Sequence, residues 1–439
     1  MSEYKLSEIA ENEMKLFARY TIESRAIPSM VDGMKPVQRF YLYSSIINTG
    51  SNFKKVSAVS GVVSDYGYNH GETSAAGAGQ LMAAQWNNNI CLVEGRGSFG
   101  TRQIQAAGAA RYVYTKLHAN FKRYIKDIDL APTHEDPEHS PPSFYIPVIP
   151  LVLANGTKGI ATGFATNILP RSEKSLIAAC KEYIKTGKIK KRLPVSFPDF
   201  KGKTAYNSDT DRFVCKGIFK RPAATKIIIT EIPYGYDREA YVKVLDKLDD
   251  EGEIVSYEDQ CSSVGFQFEI KIRNSTARTL DTDDKIIAKF KLEKTHSENL
   301  TVIGSDGKLC EYKDERELIK DFVNFRNTIL VSRIKKRMDE SDVTLKWLQV
   351  KRDFINEVLL DEIVFLRMTK SDIIGQINRR IPSSTPEDCE RLLKLNIINL
   401  SSEMVDSLNE QIKKEEVDNK YWKKTNTSEQ FALDLEELK

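Results

Sequence analysis

Apolar positions repeat with different periods along the chain. Ile9, Met14, Leu16, Phe17 and Tyr20 recur at helical spacing among charges, which predicts a helix over residues 1–24. Residues 25–39 break that spacing. Pro28, Gly33 and Pro36 interrupt a segment carrying the cations Arg25, Lys35 and Arg39, either a phosphate-positioning loop or an ordinary solvated turn. Residues 73–86 read as the next helix, with Thr73 as N-cap and an interior of Ser74, Ala75, Ala76, Gly77, Ala78, Gly79, Ala83 and Ala84. Two internal glycines cost roughly 1 kcal/mol each relative to alanine, so this small-residue face implies close approach by another helix or by a duplex. After a proline-rich connector, residues 226–232 and 264–272 alternate or run apolar as strands do. From residue 318 the pattern is helical to the end. Ile319, Phe322, Val323, Leu330, Ile334, Met338, Leu345, Leu348, Ile355 and Leu359 form one stripe, then a short insertion (369–400) and a returning charged helix follow. That pattern predicts two long antiparallel helices carrying a small tip.

A chain of 439 residues exceeds one hydrophobic core, and 41% hydrophobic with 29% charged residues fits a soluble multidomain protein with long solvated helices. No apolar run reaches the roughly 18 residues of a membrane span, and the N-terminus has no signal-peptide core, so neither membrane nor export is expected. Cys91, Cys180, Cys215, Cys261, Cys310 and Cys389 are scattered singly, which excludes a Cys-x-x-Cys zinc site and fits a reducing cytoplasm. Net charge is only +3, and residues 1–130 hold 15 Lys and Arg against 11 Asp and Glu. A DNA surface must therefore come from arrangement, not bulk charge. The lysines of residues 185–203, with Arg192, mark either a flank-binding basic loop or a solvated one.

The chemistry-bearing pair is Arg111-Tyr112, downstream of Asn69-His70-Gly71-Glu72-Thr73 and of the Gly95–Gly100 loop GRGSFG. Phosphodiester exchange needs a nucleophile whose product is again a phosphodiester, so that the break can be resealed. A phenol qualifies, but its ordinary pKa of about 10 calls for help at neutral pH. An adjacent guanidinium grips the phosphate and stabilises developing charge, and a histidine orients or relays protons to the same oxygens. His134, Glu135, Asp136, Glu138 and His139 offer metal-ligand chemistry at close spacing, but prolines interrupt the segment and charge runs lie in water, so no metal site is expected.

Six ordered blocks carry a resemblance to the breakage-reunion (A-type) subunit of type IIA DNA topoisomerases: SRAIPSMVDGMKPVQRF (24–40), YGYNHGETSA (66–75), LVEGRGSFGT (92–101), AAGAARYVYTKL (106–117), NGTKGIATGFATNILP (155–170) and ITEIPYGYDRE (229–239). The resemblance implies an α+β multidomain fold: an N-terminal helical arm (1–24), a winged-helix DNA-cleavage domain (25–150), a mixed α/β tower (151–317), and a coiled coil with a helical dimerisation tip (318–439). By position it implies Tyr112 as nucleophile, Arg111 and His70 as its catalytic partners, Arg25, Lys35, Arg39 and Thr73 on DNA, and Ile160 as a wedge between base pairs. It also implies double-stranded DNA as substrate, a homodimer closed through the coiled-coil tip, and a partner subunit that binds ATP and Mg²⁺, since no P-loop and no Asp-x-Asp metal-binding pair with a suitable acidic neighbour appears here.

The chain departs from the family pattern at several points. Gln38 stands where gyrases have histidine, Phe40 replaces a second basic residue, and Tyr68 replaces the first histidine of a His-Pro-His motif, leaving His70 alone. Glu72 replaces aspartate, Thr73 replaces serine, and Gly77 falls where an acidic residue usually helps bind quinolones. The resemblance further implies relaxation and decatenation without negative supercoiling, since no wrapping domain follows the coiled coil. Two other classes fit fewer of these residues: a non-catalytic DNA-bending scaffold, which would not need Tyr112, and a metal-dependent nuclease built on residues 134–139.

Overall fold

The structure, a computed structural model, describes residues 9–396, 398 and 400–438. The start of the expected N-terminal arm, two residues of the expected tip (397 and 399) and residue 439 lie outside that set. The chain divides into two units, Met1–Arg326 with Asp434–Lys439, and Asn327–Leu433. Both strands and helices contribute to the first; the second is helical. No described helix is long and apolar enough to cross a membrane.

In the first unit, a helical segment runs from Ile9 to Ala26, with wide π turns over Ile9–Met14 and Ile22–Ala26 on either side of Lys15–Thr21. Three helices follow, Pro36–Asn48, Val56–Gly61 and Glu72–Ala83. Pro36 pre-sets the first turn of its helix, and the Gln38 side chain accepts the Lys35 N–H at 2.9 Å, satisfying a donor that the helix cannot. Gly79 lets this helix meet Glu72–Ala83: a Cβ there would lie 2.1 Å from Cζ of buried Tyr41, whose hydroxyl pairs with Thr115 Oγ1 at 2.6 Å. Of the two uses open to the small-residue face, helix packing therefore takes the Gly79 side. Gly77 faces open space. The helix starts at Glu72 and ends at Ala83, and its cap is Gly71 at φ +87°, not Thr73, because only glycine adopts that backbone cheaply. Against these helices lies an antiparallel sheet in the order Lys54–Lys55, Tyr114–Leu117, Val93–Arg96.

Both segments expected as strands pair with each other in a four-stranded antiparallel sheet, with Phe268 opposite Ile229 and Ile270 opposite Ile227. Ile227, Ile229, Phe268 and Ile270 are fully buried under Tyr241 and Leu245 of the helix Arg238–Asp250, whose N-cap Asp237 accepts the Ala240 N–H at 2.7 Å. The second segment becomes regular strand only over Phe268–Lys271, since Ser262 and Gly265 form a turn ahead of it. A smaller sheet orders Glu293–His296, Arg212–Lys216 and Lys203–Asn207, and two hairpins outside these sheets, Thr157–Ile160 with Ala165–Ile168 and Leu300–Ile303 with Leu309–Tyr312, meet through an Asn167–Asn299 bridge. In the basic loop, Arg192 is spent on Glu315 at 3.1 Å, while Lys188, Lys190 and Lys191 are exposed.

The helix Glu315–Leu359 supplies the first long element of the second unit, and Ser402–Lys424 returns beside it. Of the predicted stripe, Ile319, Phe322, Val323, Leu330 and Ile355 are buried and Leu359 is exposed; Ile355 packs with Val350 and Phe354, which lie outside that stripe, under Ile373, Ile377, Leu392 and Leu408. Midway the helix pair is sealed by polar contacts instead: buried Ser341 donates to Glu415 at 2.6 Å, and Asn419 donates to Asp342 at 2.7 Å. Leu408 packs with the later Val350–Ile355 while the earlier Ser341 and Asp342 pair with Glu415 and Asn419, so the two helices are antiparallel. Thr369–Asp372 and Thr385–Asp388 capping pairs start the two short helices between them. Leu360 and Leu366 are 69% and 85% exposed, with Val364, Phe365 and Met368 also open to solvent.

Candidate active site

Residues 25–35 are not a solvated turn. Ile27, Met30, Val31 and Met34 are buried, Met30 N donates to Ile303 O at 2.7 Å, and Ile303 N donates to Pro28 O at 2.9 Å. The segment is thus a strap held against the hairpin Leu300–Ile303. Its cations have different fates. Arg39 makes a bidentate pair with fully buried Asp32, at 2.7 and 3.0 Å, and donates to Met34 O at 2.8 Å. Asp32 also accepts the N–H groups of Met34 and Tyr145, so its negative charge is fully used. The Lys35 ammonium donates to Lys158 O at 2.7 Å, and burial pushes its pKa below the usual lysine range. Arg25 stays exposed and close enough for its charge to act on Tyr68.

Ile160 ends the strand Thr157–Ile160 and is 88% exposed. Its neighbour Gly159 faces the opposite way, onto the strap, where a Cβ would come within 2.1 Å of Ala26 O. A side chain there would force the hairpin off the strap, so glycine at 159 is what aims Ile160 outward. This contact joins distant parts of the sequence and has no local signal.

His70 lies between two tyrosines. Its Nε2 is hydrogen-bonded to the Tyr20 hydroxyl of the N-terminal helix, and its ring meets Tyr68 edge-on at 5.5 Å. Tyr68 is buried, which raises its pKa, and packs at a tilt against Phe40 with ring centroids 5.3 Å apart. Thr73 is exposed in the first turn of the helix that follows. The segment of residues 132–142 packs onto this cluster rather than lying free: His139 meets Phe40 edge-on at 5.1 Å, and a Cβ on Gly67 would strike Glu138 O.

Tyr112 sits on a turn just before the strand Tyr114–Leu117. Val56 N donates to Val113 O at 3.0 Å and Ser57 N to Ala110 O at 3.1 Å, fixing the turn from both sides. Val113 is buried, while Tyr112 is 68% exposed with the Arg111 guanidinium 4.8 Å from its ring centroid. The phenol therefore projects from a rigid base with a cation beside it. Tyr114, by contrast, lies on the strand under the Arg96 guanidinium, 4.7 Å from its ring centroid. The helix Glu72–Ala83 spans the two parts of the site: its start follows His70, and Gln80 donates to Gly108 O at 2.7 Å in the loop leading to Tyr112. Among the described residues no hydrogen bond, ion pair or ring contact joins Arg111-Tyr112 to His70 directly.

Mg²⁺ requires several oxygen ligands in near-octahedral array. Among the described residues no group of three or more His, Cys, Asp or Glu side chains is placed to hold a metal ion, and Asp32 is committed to Arg39. The side chains present do not fit a resident Mg²⁺.

The profile of the family described as the A subunit of DNA gyrase/topoisomerase IV matches residues 25–438. The chain belongs to that family. It is a type II topoisomerase subunit, of the class that cleaves and religates DNA. Within the family, it is 39% identical over 441 residues to the DNA topoisomerase medium subunit of Enterobacteria phage T4, covering 99% of this chain and 98% of that protein. It is 28% identical to the mitochondrial DNA topoisomerase 2 of Dictyostelium discoideum and 25% identical to the DNA topoisomerase 4 A subunit of Staphylococcus aureus (strain MW2), spanning 33% and 53% of their lengths. The crystal structure of the Plasmodium falciparum topoisomerase II DNA-binding, cleavage and re-ligation domain superposes with TM-score 0.85 at 26% identity, over 97% of this chain and 63% of that one. The mixed α/β multidomain architecture is the family's.

Proposed function

We propose that this chain is the DNA-cleaving subunit of an ATP-dependent type II topoisomerase, with Tyr112 as nucleophile. The phenol oxygen attacks a backbone phosphorus, the bond to the 3′ oxygen breaks, and that oxygen leaves with a proton as the 5′ end becomes phosphotyrosine. Religation is the reverse. The observation that carries this reading is the exposed Tyr112 phenol on a doubly anchored turn with Arg111 beside it. Arg111 and His70 stabilise charge on the phosphate, and Arg25, Lys35 and Thr73 hold its neighbours. Arg39 acts by fixing the strap through Asp32 as well as by its charge. Ile160 inserts between base pairs, where a few kcal/mol of unstacking is offset by wrapping more surface.

Residues 25–150 would form the winged-helix cleavage domain, 151–317 the tower, and 318–439 the coiled coil and its gate. Two copies would close through the tip, where Leu360 and Leu366 are exposed. ATP and Mg²⁺ would be bound by a partner subunit, in the cytoplasm. The assembled enzyme would relax both signs of supercoil and unlink catenanes without supercoiling relaxed DNA; net supercoiling of a relaxed plasmid by the purified subunits would overturn that part. The test of the whole reading is to denature a reaction of duplex DNA with this chain and its partner subunit. Protein attached to 5′ ends supports cleavage through a phosphotyrosine. DNA that is bent but never attached supports a scaffold, and free cut ends support a nuclease.

A further inference from the structure

A second cationic feature lies beside the wedge hairpin and is not used by the chemistry above. Lys158 and Ile160 are two residues apart on one strand, so their side chains share a face, with Gly159 turned to the other. From the neighbouring sheet come Lys294 and His296, again two apart on the strand Glu293–His296. The Lys294 ammonium donates to Gly235 O at 2.9 Å and stands 4.2 Å from the Tyr236 ring centroid. His296 shares a hydrogen bond of 3.1 Å with Tyr234 O. Lys35, tied to Lys158 O, completes the group. Lys35, Lys158, Tyr236 and His296 line one open cavity of ≈ 750 Å³.

Lys158 and Lys294 stand close enough for their charges to repel, and among the described residues no carboxylate pairs with Lys35, Lys158 or Lys294. The buried arginines are neutralised instead: Arg39 by Asp32, Arg102 by Glu231, Arg171 by Glu298. Burial, and then the charge of Lys158, lowers the Lys294 pKa; burial, and then Lys294 and Lys158, holds His296 at about 4 and hence neutral. The Gly235 carbonyl holds the Lys294 ammonium in place beside Lys158. Such an array is stabilised when an anion enters it, and Lys158 shares its strand face with exposed Ile160.

We infer that Lys158 and Lys294 form a phosphate-binding cradle for the backbone of duplex DNA next to the Ile160 wedge, with Tyr236 and His296 as its neutral walls. This rests on the reading of the chain as the DNA-cleaving member of its enzyme, to which it contributes two further anchors. Phosphate contacts carry no sequence information, so their loss should weaken binding uniformly across sequences and lower its salt dependence.

The test measures duplex binding by the complex of this chain with its partner subunit, by fluorescence anisotropy over a salt series. Each lost phosphate contact reduces the slope of log K against log salt by about 0.9. The double variant Lys158→Gln/Lys294→Gln should therefore lose roughly 2 from the slope. Lys243→Gln/Lys247→Gln removes the same charge from a helix surface and should leave the slope unchanged. A slope equal to that of the control pair overturns the cradle. Saturable binding of tripolyphosphate that depends on the two lysines, with the DNA slope unaltered, overturns it too by assigning the site to a small anion. If the unmodified complex does not bind duplex at all, the reading of the chain as a DNA-cleaving subunit fails instead.

Discussion

The hydroxyl of Tyr20 is hydrogen-bonded to Nε2 of His70, so the N-terminal helix reaches the imidazole proposed to act on the scissile phosphate. A phenol in that position fixes the ring and its tautomer, as partners of functional histidines do elsewhere.

His70→Ala should slow cleavage and religation by roughly 10²-fold or more, and Tyr20→Phe by less. Because one residue acts through the other, the double variant should be no slower than His70→Ala alone. Rapid-quench religation rates would check this, and additive losses would separate Tyr20 from His70.

Phe40 and Tyr68 touch, with ring centroids 5.3 Å apart. The pair forms one aromatic contact, closed over by His139. A cycle of Phe40→Ala and Tyr68→Ala in urea unfolding should give a coupling of about 0.5–1.5 kcal/mol. Tyr68→His alone should destabilise by about 1–3 kcal/mol, since it puts a polar ring where the phenol packs.

Gly159→Ala removes no group that faces DNA, yet its methyl would meet Ala26 O. It should impair DNA bending at least as much as Ile160→Ala, which removes the wedge itself. End-to-end fluorescence transfer on a short duplex reads both. Bending unchanged in Gly159→Ala would show that the strap contact does not aim the hairpin, and bending unchanged in Ile160→Ala would remove Ile160 from the mechanism.

What was legible in the sequence was local. The apolar run of residues 226–232 marked a strand, whose two faces differ in burial, and the stripe from residue 318 marked a long helix. The stripe could not show that Ser341 and Asn419 seal the middle of the helix pair, because neither residue is apolar. The cations of residues 25–39 stood out by type, but not the commitment of Arg39 to Asp32 or the lean of Lys35 on Lys158, which depend on where distant backbone lies. Lys294 and His296 carried no signal at all, since their grouping with Lys158 exists only after the sheet and hairpin come together. Thr73 resembled a cap by composition, while the positive φ of Gly71 set the helix start one residue earlier.

The central claim is that Tyr112 is the residue joined to DNA. The direct measurement is to trap the cleavage complex in the presence of Mg²⁺ with the partner subunit, digest protein and DNA, and sequence the nucleotide-bearing peptide by mass spectrometry. The modification should fall on Tyr112, and Tyr112→Phe should bind duplex within a few-fold of the unmodified chain while forming no adduct. An adduct on Tyr114 or any other residue, or one that persists in Tyr112→Phe, would contradict it.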